Sequence, residues 1–154
     1  MTGESVRQKR GTLENQPKLA RVILTIPAVF LAIVPPLIDL NETHVLNPLW
    51  IGHARLHTVW LLATNSLVSL TAIVILWRPI LESLRLSVIL AGVLVGSVLT
   101  GFFVAAASQS YYGGSLTDPN GVAITAGPLD ANLATFLFLF SLVAVSFLLA
   151  RRPA

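Results

Sequence analysis

The sequence predicts an all-α membrane protein in which four transmembrane helices pack as a bundle. The mean hydropathy is +0.79, and only 11% of the 154 residues are charged, whereas about a quarter are charged in a typical soluble domain. The apolar residues form four long blocks and do not alternate with polar ones. Because about 20 apolar residues cross a bilayer as a helix, each block is interpreted as one span.

Short polar segments separate the four predicted spans. Segment 1–21 is basic and poor in apolar side chains, so we expect a flexible cytoplasmic tail that cannot bury enough surface to fold. The membrane domain then covers residues 22–150, and residues 151–154 form a cytoplasmic end. The predicted spans are 22–38, 53–77, 86–108 and 131–150. Pro35 and Pro36 are expected to kink or end the first span, because proline lacks an amide donor.

The distribution of positive charge predicts the orientation. The amino-terminal segment, the 78–85 loop and the carboxyl end together carry nine of the ten Lys and Arg residues. Loops rich in Lys and Arg stay in the cytoplasm, so both termini are predicted to be cytoplasmic and the other two loops to face outward. The expected location is the plasma (inner) membrane, which the chain would cross several times.

Composition also limits the partners. The chain has no cysteine, which excludes disulfides, thiolate metal sites and cysteine nucleophiles. The basic residues lie beside spans and are not interleaved with aromatic ones, so no nucleic-acid partner is expected. The lipid bilayer is the expected environment. Gly92 and Gly96 form a small-xxx-small ridge that permits close helix contact, and a homo-oligomer could form through this face.

Polar side chains are concentrated between Asp39 and His57, in the sequence DLNETHVLNPLWIGHARLH, which holds all three histidines of the chain. His53 and His57 are four positions apart and would share one face of a helix. That face continues to Leu61, Thr64 and Asn65. An unpaired polar group in lipid costs several kcal/mol, so this stripe is expected to point into the bundle or a wet cavity.

Two roles are open for the histidines. They can bind a transition metal, because imidazole and carboxylate together suit zinc, copper or non-haem iron, or they can transfer protons. Alternatively, they cap and anchor the second span structurally. The candidate metal ligands are His44, His53, His57 and Asp39. The candidate catalytic residues are His53, His57, Glu42 and Arg55.

Three neighbouring residues have similarly open interpretations. Arg55 lies on the opposite side of the helix from the two histidines, and its expected partner is an outer acid, an anionic ligand or a lipid headgroup. Trp50 is an interfacial anchor or stacks on a flat ligand. Asn65 makes a hydrogen bond between helices or contacts a ligand. Trp50 and Asn65 are therefore the candidates for binding a cofactor.

The run THVLNPLWIGHARLH, preceded by PPLIDLNE, resembles the signature T-H-x-x-N-P-x-W-x-x-H-A-R-x-H of a family of small uncharacterised bacterial four-helix membrane proteins. That resemblance implies the four-span layout but no activity. Trp50, His53 and Arg55 also resemble a cluster in membrane oxygenases of the anthrone-oxidising kind, as an analogy only.

Two functions follow from the sequence as hypotheses. The chain is a metal-dependent or acid/base enzyme that acts on a lipophilic substrate. Its outward-facing pocket would be walled by the first loop, the top of the second span and the 109–130 loop. Alternatively, the chain is a non-catalytic accessory subunit, in which the histidine stretch locks the first loop to the bundle.

Overall fold

The computed structural model describes residues 3–78, 80–117, 125–126 and 128–151, with side chains in 15–78, 80–117 and 128–151. It contains four helices: α1 (Gly3–Asp39), α2 (Gly52–Trp77), α3 (Leu84–Tyr112) and α4 (Ala131–Arg151). Each contains a stretch long and apolar enough to cross a membrane, which confirms the predicted class. Two short strands, β1 (Thr125–Ala126) and β2 (Leu129–Asp130), pair antiparallel just before α4.

The helices form a bundle in which every helix packs against the next one in the chain. Helix α4 also packs against α1, which closes the ring. Helix α1 reaches α3 across the middle, whereas no contact joins α2 to α4 in the described part of the chain. Small and branched apolar side chains fill the centre, among them Leu24, Leu31, Leu76, Val88, Val95, Leu99 and Val143. Helices α1 and α3 therefore lie closest to the axis of the bundle.

Helix α1 begins much earlier than the sequence predicts. It is continuous from Gly3, so residues 3–21 of the expected tail are helical, and the cytoplasmic place of this segment stays a prediction. This segment is rich in Glu, Gln, Lys and Arg, which are good helix formers, and extending an existing helix costs far less than nucleating one. At the other end of the chain, residues 152–154 of the predicted cytoplasmic end lie outside the described residues.

The prolines of α1 do not end the helix, which continues past Pro35 and Pro36 to Asp39. Pro36 has no N–H to donate to the carbonyl of Ala32, four residues earlier. That carbonyl instead accepts a hydrogen bond of 3.0 Å from Ser66 Oγ of α2. A neighbouring helix thus satisfies the backbone group that the proline leaves free, as membrane bundles permit.

Side chains and glycine define the other helix ends. Ser83 accepts a hydrogen bond from the Leu86 amide at the start of α3, and Gly113 ends that helix in the left-handed conformation, with φ of 70°. At the start of α4, Asp130 Oδ1 accepts from the amides of Asn132 and Leu133, at 2.8 and 3.2 Å. These caps satisfy amide and carbonyl groups that the helix itself cannot pair.

The glycine ridge of α3 lies against α4 of the same chain. A Cβ atom on Gly92 would lie 2.8 Å from the ring of Phe147, and one on Gly96 would lie 3.7 Å from Val143. The predicted close helix contact is therefore confirmed within the chain. Helix α4 already covers Gly92, and a homo-oligomer through this face stays a prediction.

Candidate functional site

The three histidines fall into two groups. His44 lies beside Asp39, with 3.9 Å between Nε2 and Oδ1, and we call these two residues the cavity pair. His53 and His57 lie beside each other on α2, with 3.1 Å between their Nε2 atoms, and we call them the surface pair. The two groups have different surroundings.

The cavity pair lines a cavity of about 490 Å³ between α1, the first loop, α3 and the start of α4. Apolar side chains form most of its wall, and the rings of Phe102 and Phe136 stack there with centroids 3.9 Å apart. Its polar lining residues are Asp39, His44, Ser115, Asn132 and Thr135. None of the described lining residues comes from α2, so the expectation that the top of the second span forms a wall is wrong.

A chain of hydrogen bonds selects one tautomer of neutral His44. Asn41 Nδ2 donates to the carbonyl of Ile38 at 2.6 Å, which turns Asn41 Oδ1 toward Thr43. That oxygen accepts from the Thr43 hydroxyl at 2.7 Å. A hydroxyl has only one hydrogen, so Thr43 Oγ1 must accept from His44 Nδ1, which lies 2.7 Å away. A neutral His44 therefore carries its proton on Nδ1, and Nε2 is free.

The free Nε2 of His44 faces the carboxylate of Asp39. Their separation of 3.9 Å is too long for a hydrogen bond but short enough for charge attraction. Both side chains are partly covered, with 32% of His44 and 29% of Asp39 exposed. Trp50 flanks the imidazole edge-on at a centroid distance of 6.2 Å. His44 Nε2 thus lies beside the Asp39 carboxylate at the edge of the cavity, without a hydrogen bond between them.

The surface pair does not point into the bundle. His53 and His57 are exposed, as are Leu61 and Thr64 below them, so the predicted inward stripe is wrong. Helix α2 instead buries another face, made of Leu62, Ser69, Ala72 and Leu76. Those small and apolar side chains pack more closely against α1 and α3, while histidines in the first two turns of α2 can remain hydrated at the end of a span.

Asn65 is half-buried. Among the described side chains, Ser66 and not Asn65 makes the hydrogen bond from this part of α2 to α1. The interhelical hydrogen bond expected of Asn65 is therefore made by the next residue, Ser66.

The predicted metal set does not come together. In the described residues, no group of three or more histidines and carboxylates is placed to hold a metal ion. His44 and Asp39 line the cavity, the surface pair lies on the exposed face of α2, and Glu42 is exposed. The first loop turns His44 back toward the end of α1, which separates it from the other histidines. A zinc, copper or iron site at these residues is not supported.

Arg55 fastens the first loop to α2. Its Nη2 donates to the carbonyl of Asn47 at 2.7 Å, and its Nε donates to the carbonyl of Trp50 at 3.1 Å. Asn47 is only 4% exposed, and its Oδ1 accepts from the Leu49 amide at 2.9 Å. We call Asn47, Trp50 and Arg55 the loop lock. Among the described side chains no carboxylate pairs with Arg55, whereas an anionic ligand or a lipid headgroup on its remaining N–H groups stays a prediction.

A model of a family of unknown function, DUF6640, matches residues 23–153. The chain belongs to this family. No curated protein and no solved structure matches this chain. Membership agrees with the predicted assignment to an uncharacterised family, whereas the match does not test the signature or the likeness to anthrone-oxidising enzymes. The cavity pair and the loop lock of this DUF6640 chain both lie within the matched residues.

Sequence reasoning missed several residues of the DUF6640 cavity. Thr43 contacts His44 Nδ1 through its hydroxyl. Its position directly before His44 was the sequence signal that could have identified this contact. Asn132 and Thr135 line the cavity from α4, and their spacing of three places them on one helix face. The stacked Phe102 and Phe136 gave no signal, since phenylalanine in an apolar span is ordinary.

Proposed function

We propose that this DUF6640 protein is a membrane enzyme that moves a proton within a lipophilic substrate, with His44 as the acid/base group and Asp39 as its charge partner. One observation carries the proposal: a histidine with a fixed tautomer and an adjacent carboxylate lines a largely apolar cavity. A site that takes up apolar molecules and holds a base has the parts that proton transfer needs.

The cavity suits a small lipophilic molecule. Its volume of about 490 Å³ lies within the range of about 300–1,000 Å³ that is usual for small-molecule sites. The apolar wall, including the Phe102–Phe136 stack, would hold the hydrocarbon part. The polar end would lie near Asp39 and His44, with Asn132 and Thr135 as further hydrogen-bonding groups. The predicted orientation puts this site at the outer surface of the membrane.

The proposed chemistry needs no second reactant. His44 Nε2 takes a proton from a carbon or heteroatom at the polar end of the substrate, and Asp39 stabilises the imidazolium so formed. The proton on His44 exchanges with water, and a proton from His44 then returns to another position of the substrate and leaves an isomer. Histidine is suited to both steps because its ordinary pKa lies near neutrality.

Other predicted catalytic residues have no part in this proposal. Arg55 binds loop carbonyls through Nε and Nη2 and does not line the cavity. Glu42 is exposed, and the surface pair lies away from the cavity lining. Trp50 acts only as a neighbour of His44. The analogy with anthrone-oxidising enzymes rests on Trp50, His53 and Arg55, and the geometry gives it no support.

Solvent deuterium provides the test. We would incubate the purified protein in nanodiscs with a lipophilic membrane extract in D₂O and search by mass spectrometry for compounds that gain deuterium. The wild-type protein should label at least one compound above the protein-free background. His44→Gln should slow that labelling by about 10²–10⁴-fold, the usual contribution of a general base.

His57→Gln is the matched control, because it makes the same change on the exposed face of α2. It should label as fast as the wild type, and thermal unfolding should show that both variants are folded. Absence of labelling by the wild type, or equal labelling by the wild type and a folded His44→Gln variant, would contradict the proposal.

A second candidate function is a non-catalytic accessory subunit. The loop lock favours this function, because the lock holds the first loop on α2 through main-chain carbonyls and a buried asparagine. In that case the loop would present a fixed surface to a partner protein. Arg55→Gln would then abolish co-purification of the partner, whereas His44→Gln would leave it unchanged.

A further inference from the structure

A cation–indole contact lies near the end of the bundle opposite the cavity pair. The guanidinium carbon of Arg21 lies 4.3 Å from the centre of the Trp77 ring. Trp77 Nε1 donates to Thr25 Oγ1 at 3.0 Å, and Thr25 Oγ1 donates to the carbonyl of Arg21 at 2.8 Å. Two hydrogen bonds thus hold the indole against α1 and fix the place of the cation above it.

The guanidinium of Arg21 has unused hydrogen-bonding capacity. Its Nε is buried and has no hydrogen-bond partner. Among the described side chains, the ion pair found is that of Asp39 and His44, so no carboxylate there neutralises Arg21. Buried donors are normally paired, and guanidinium prefers two oxygens of one anionic group. Arg21 as a whole is only partly buried, so an oxygen-rich anionic ligand can reach the rest of its guanidinium.

An apolar groove of about 610 Å³ begins beside this cation. Thr25 and Trp77 line its start, and it continues along α1 to Val34, twelve residues beyond Val22 and about 18 Å away at the rise of an α-helix. Its lining is almost wholly apolar, and side chains such as Val22 and Ile26 are 51% exposed. A long apolar groove with a cation at one end matches the shape and charge of a phospholipid.

We propose that Arg21 and this groove bind one phospholipid, with its phosphate on the guanidinium and an acyl chain along α1. Tryptophan near the end of a span marks the level of lipid headgroups, which is where a phosphate would meet Arg21. A second copy of the chain is a poorer occupant, because it would have to supply a carboxylate. Among the described carboxylates, Glu82 is the one in the loop that follows Trp77, and it is exposed there.

Native mass spectrometry of the full chain in detergent tests the site, with phosphatidylglycerol, diacylglycerol and inorganic phosphate as separate probes. One phosphatidylglycerol should stay bound per chain, and diacylglycerol and phosphate should bind at least tenfold more weakly. Arg21→Gln should weaken phosphatidylglycerol about tenfold, as expected for one charge-assisted hydrogen bond. Arg85→Gln removes the same charge at an exposed position and should leave the lipid bound.

A second pair of variants tests the groove. Val29→Trp places a large side chain in the groove and should also reduce phosphatidylglycerol binding, while Leu67→Trp, on an exposed position of α2, should not. Thermal unfolding checks that all four variants are folded. The proposal is overturned if diacylglycerol or inorganic phosphate binds as tightly as phosphatidylglycerol, or if Arg21→Gln and Arg85→Gln have equal effects. A wild-type dimer that Val29→Trp dissociates and that takes no lipid would identify a second copy as the occupant and overturn it too.

Discussion

The cavity pair and the surface pair contain the same residue type in one stretch of sequence, yet their surroundings differ. His44 is held by Thr43, faced by Asp39 and placed on a cavity. His53 and His57 contact each other on an exposed helix face. Helical spacing identifies which residues share a face, but the neighbouring helices decide which face is buried. A regular pair of histidines is therefore weaker evidence for a site than a single histidine with defined partners.

The loop lock shows a third use of polar groups in the same stretch. Arg55 and Asn47 make hydrogen bonds to the first loop itself, and neither lines the cavity. His44 keeps a free nitrogen that faces the cavity. A place on the cavity, and not polarity alone, separates the candidate site from its structural support.

The largest stability difference should separate the loop lock from the surface pair. Arg55→Gln removes two charge-assisted hydrogen bonds to loop carbonyls and should lower the free energy of unfolding by about 2–3 kcal/mol, after allowing for partial exposure. His57→Gln should change it by less than about 0.5 kcal/mol, because exposed positions tolerate substitution. Reversible unfolding in mixed detergent measures both. Equal effects would mean that the histidines share in the lock.

A smaller effect should distinguish orientation of His44 from its chemistry. Thr43→Val removes the acceptor that fixes the Nδ1–H tautomer, so the proposed labelling rate should fall about tenfold, equivalent to about 1.4 kcal/mol. The nitrogen NMR shifts of the imidazole should change from one tautomer to a mixture. Thr58→Val is the control, since its hydroxyl bonds only to the carbonyl of Ala54 in the same helix. An unchanged tautomer in Thr43→Val would remove Thr43 from this role.

The smallest predicted difference compares chemical accessibility. Diethyl pyrocarbonate should modify His53 and His57 several-fold faster than His44, whose Nδ1 is hydrogen-bonded and whose ring is two-thirds covered. Peptide mass spectrometry after timed exposure gives the three rates. If His44 reacted first, its ring would be more accessible to water than the 32% exposure of its side chain indicates.

The fold could be predicted from sequence because the membrane leaves few alternatives. Every backbone polar group in hydrocarbon needs a partner, so an apolar block of sufficient length must be a helix. The predicted and observed boundaries of α2 and α4 accordingly agree to within one residue. The start of α1 differs because a polar helical extension has no hydropathy signal.

The candidate site was less predictable for two physical reasons. Helices α2 to α4 are apolar on all sides, so their sequences do not mark the face that packs inward, and the surface pair was assigned to the wrong side. The far wall of the cavity comes from Phe102, Asn132 and Phe136, which approach His44 only through the folding of the whole bundle. The pairing of Asp39 with His44 spans five residues and was within reach of local reasoning.

The hydrogen bond from Ser66 to the carbonyl of Ala32 has a consequence for how α1 and α2 are aligned. Because Pro36 cannot occupy that carbonyl, any sliding or rotation of α2 along α1 would leave a bare acceptor in hydrocarbon. Pro36 therefore fixes the axial register between the two helices. Asp39 lies about one turn beyond Pro36 and two turns beyond Ala32 on α1, and Arg55 lies about three turns before Ser66 on α2. Proline usually breaks helices, but Pro36 thereby sets the distance between the end of α1 and the start of α2, which the first loop has to span.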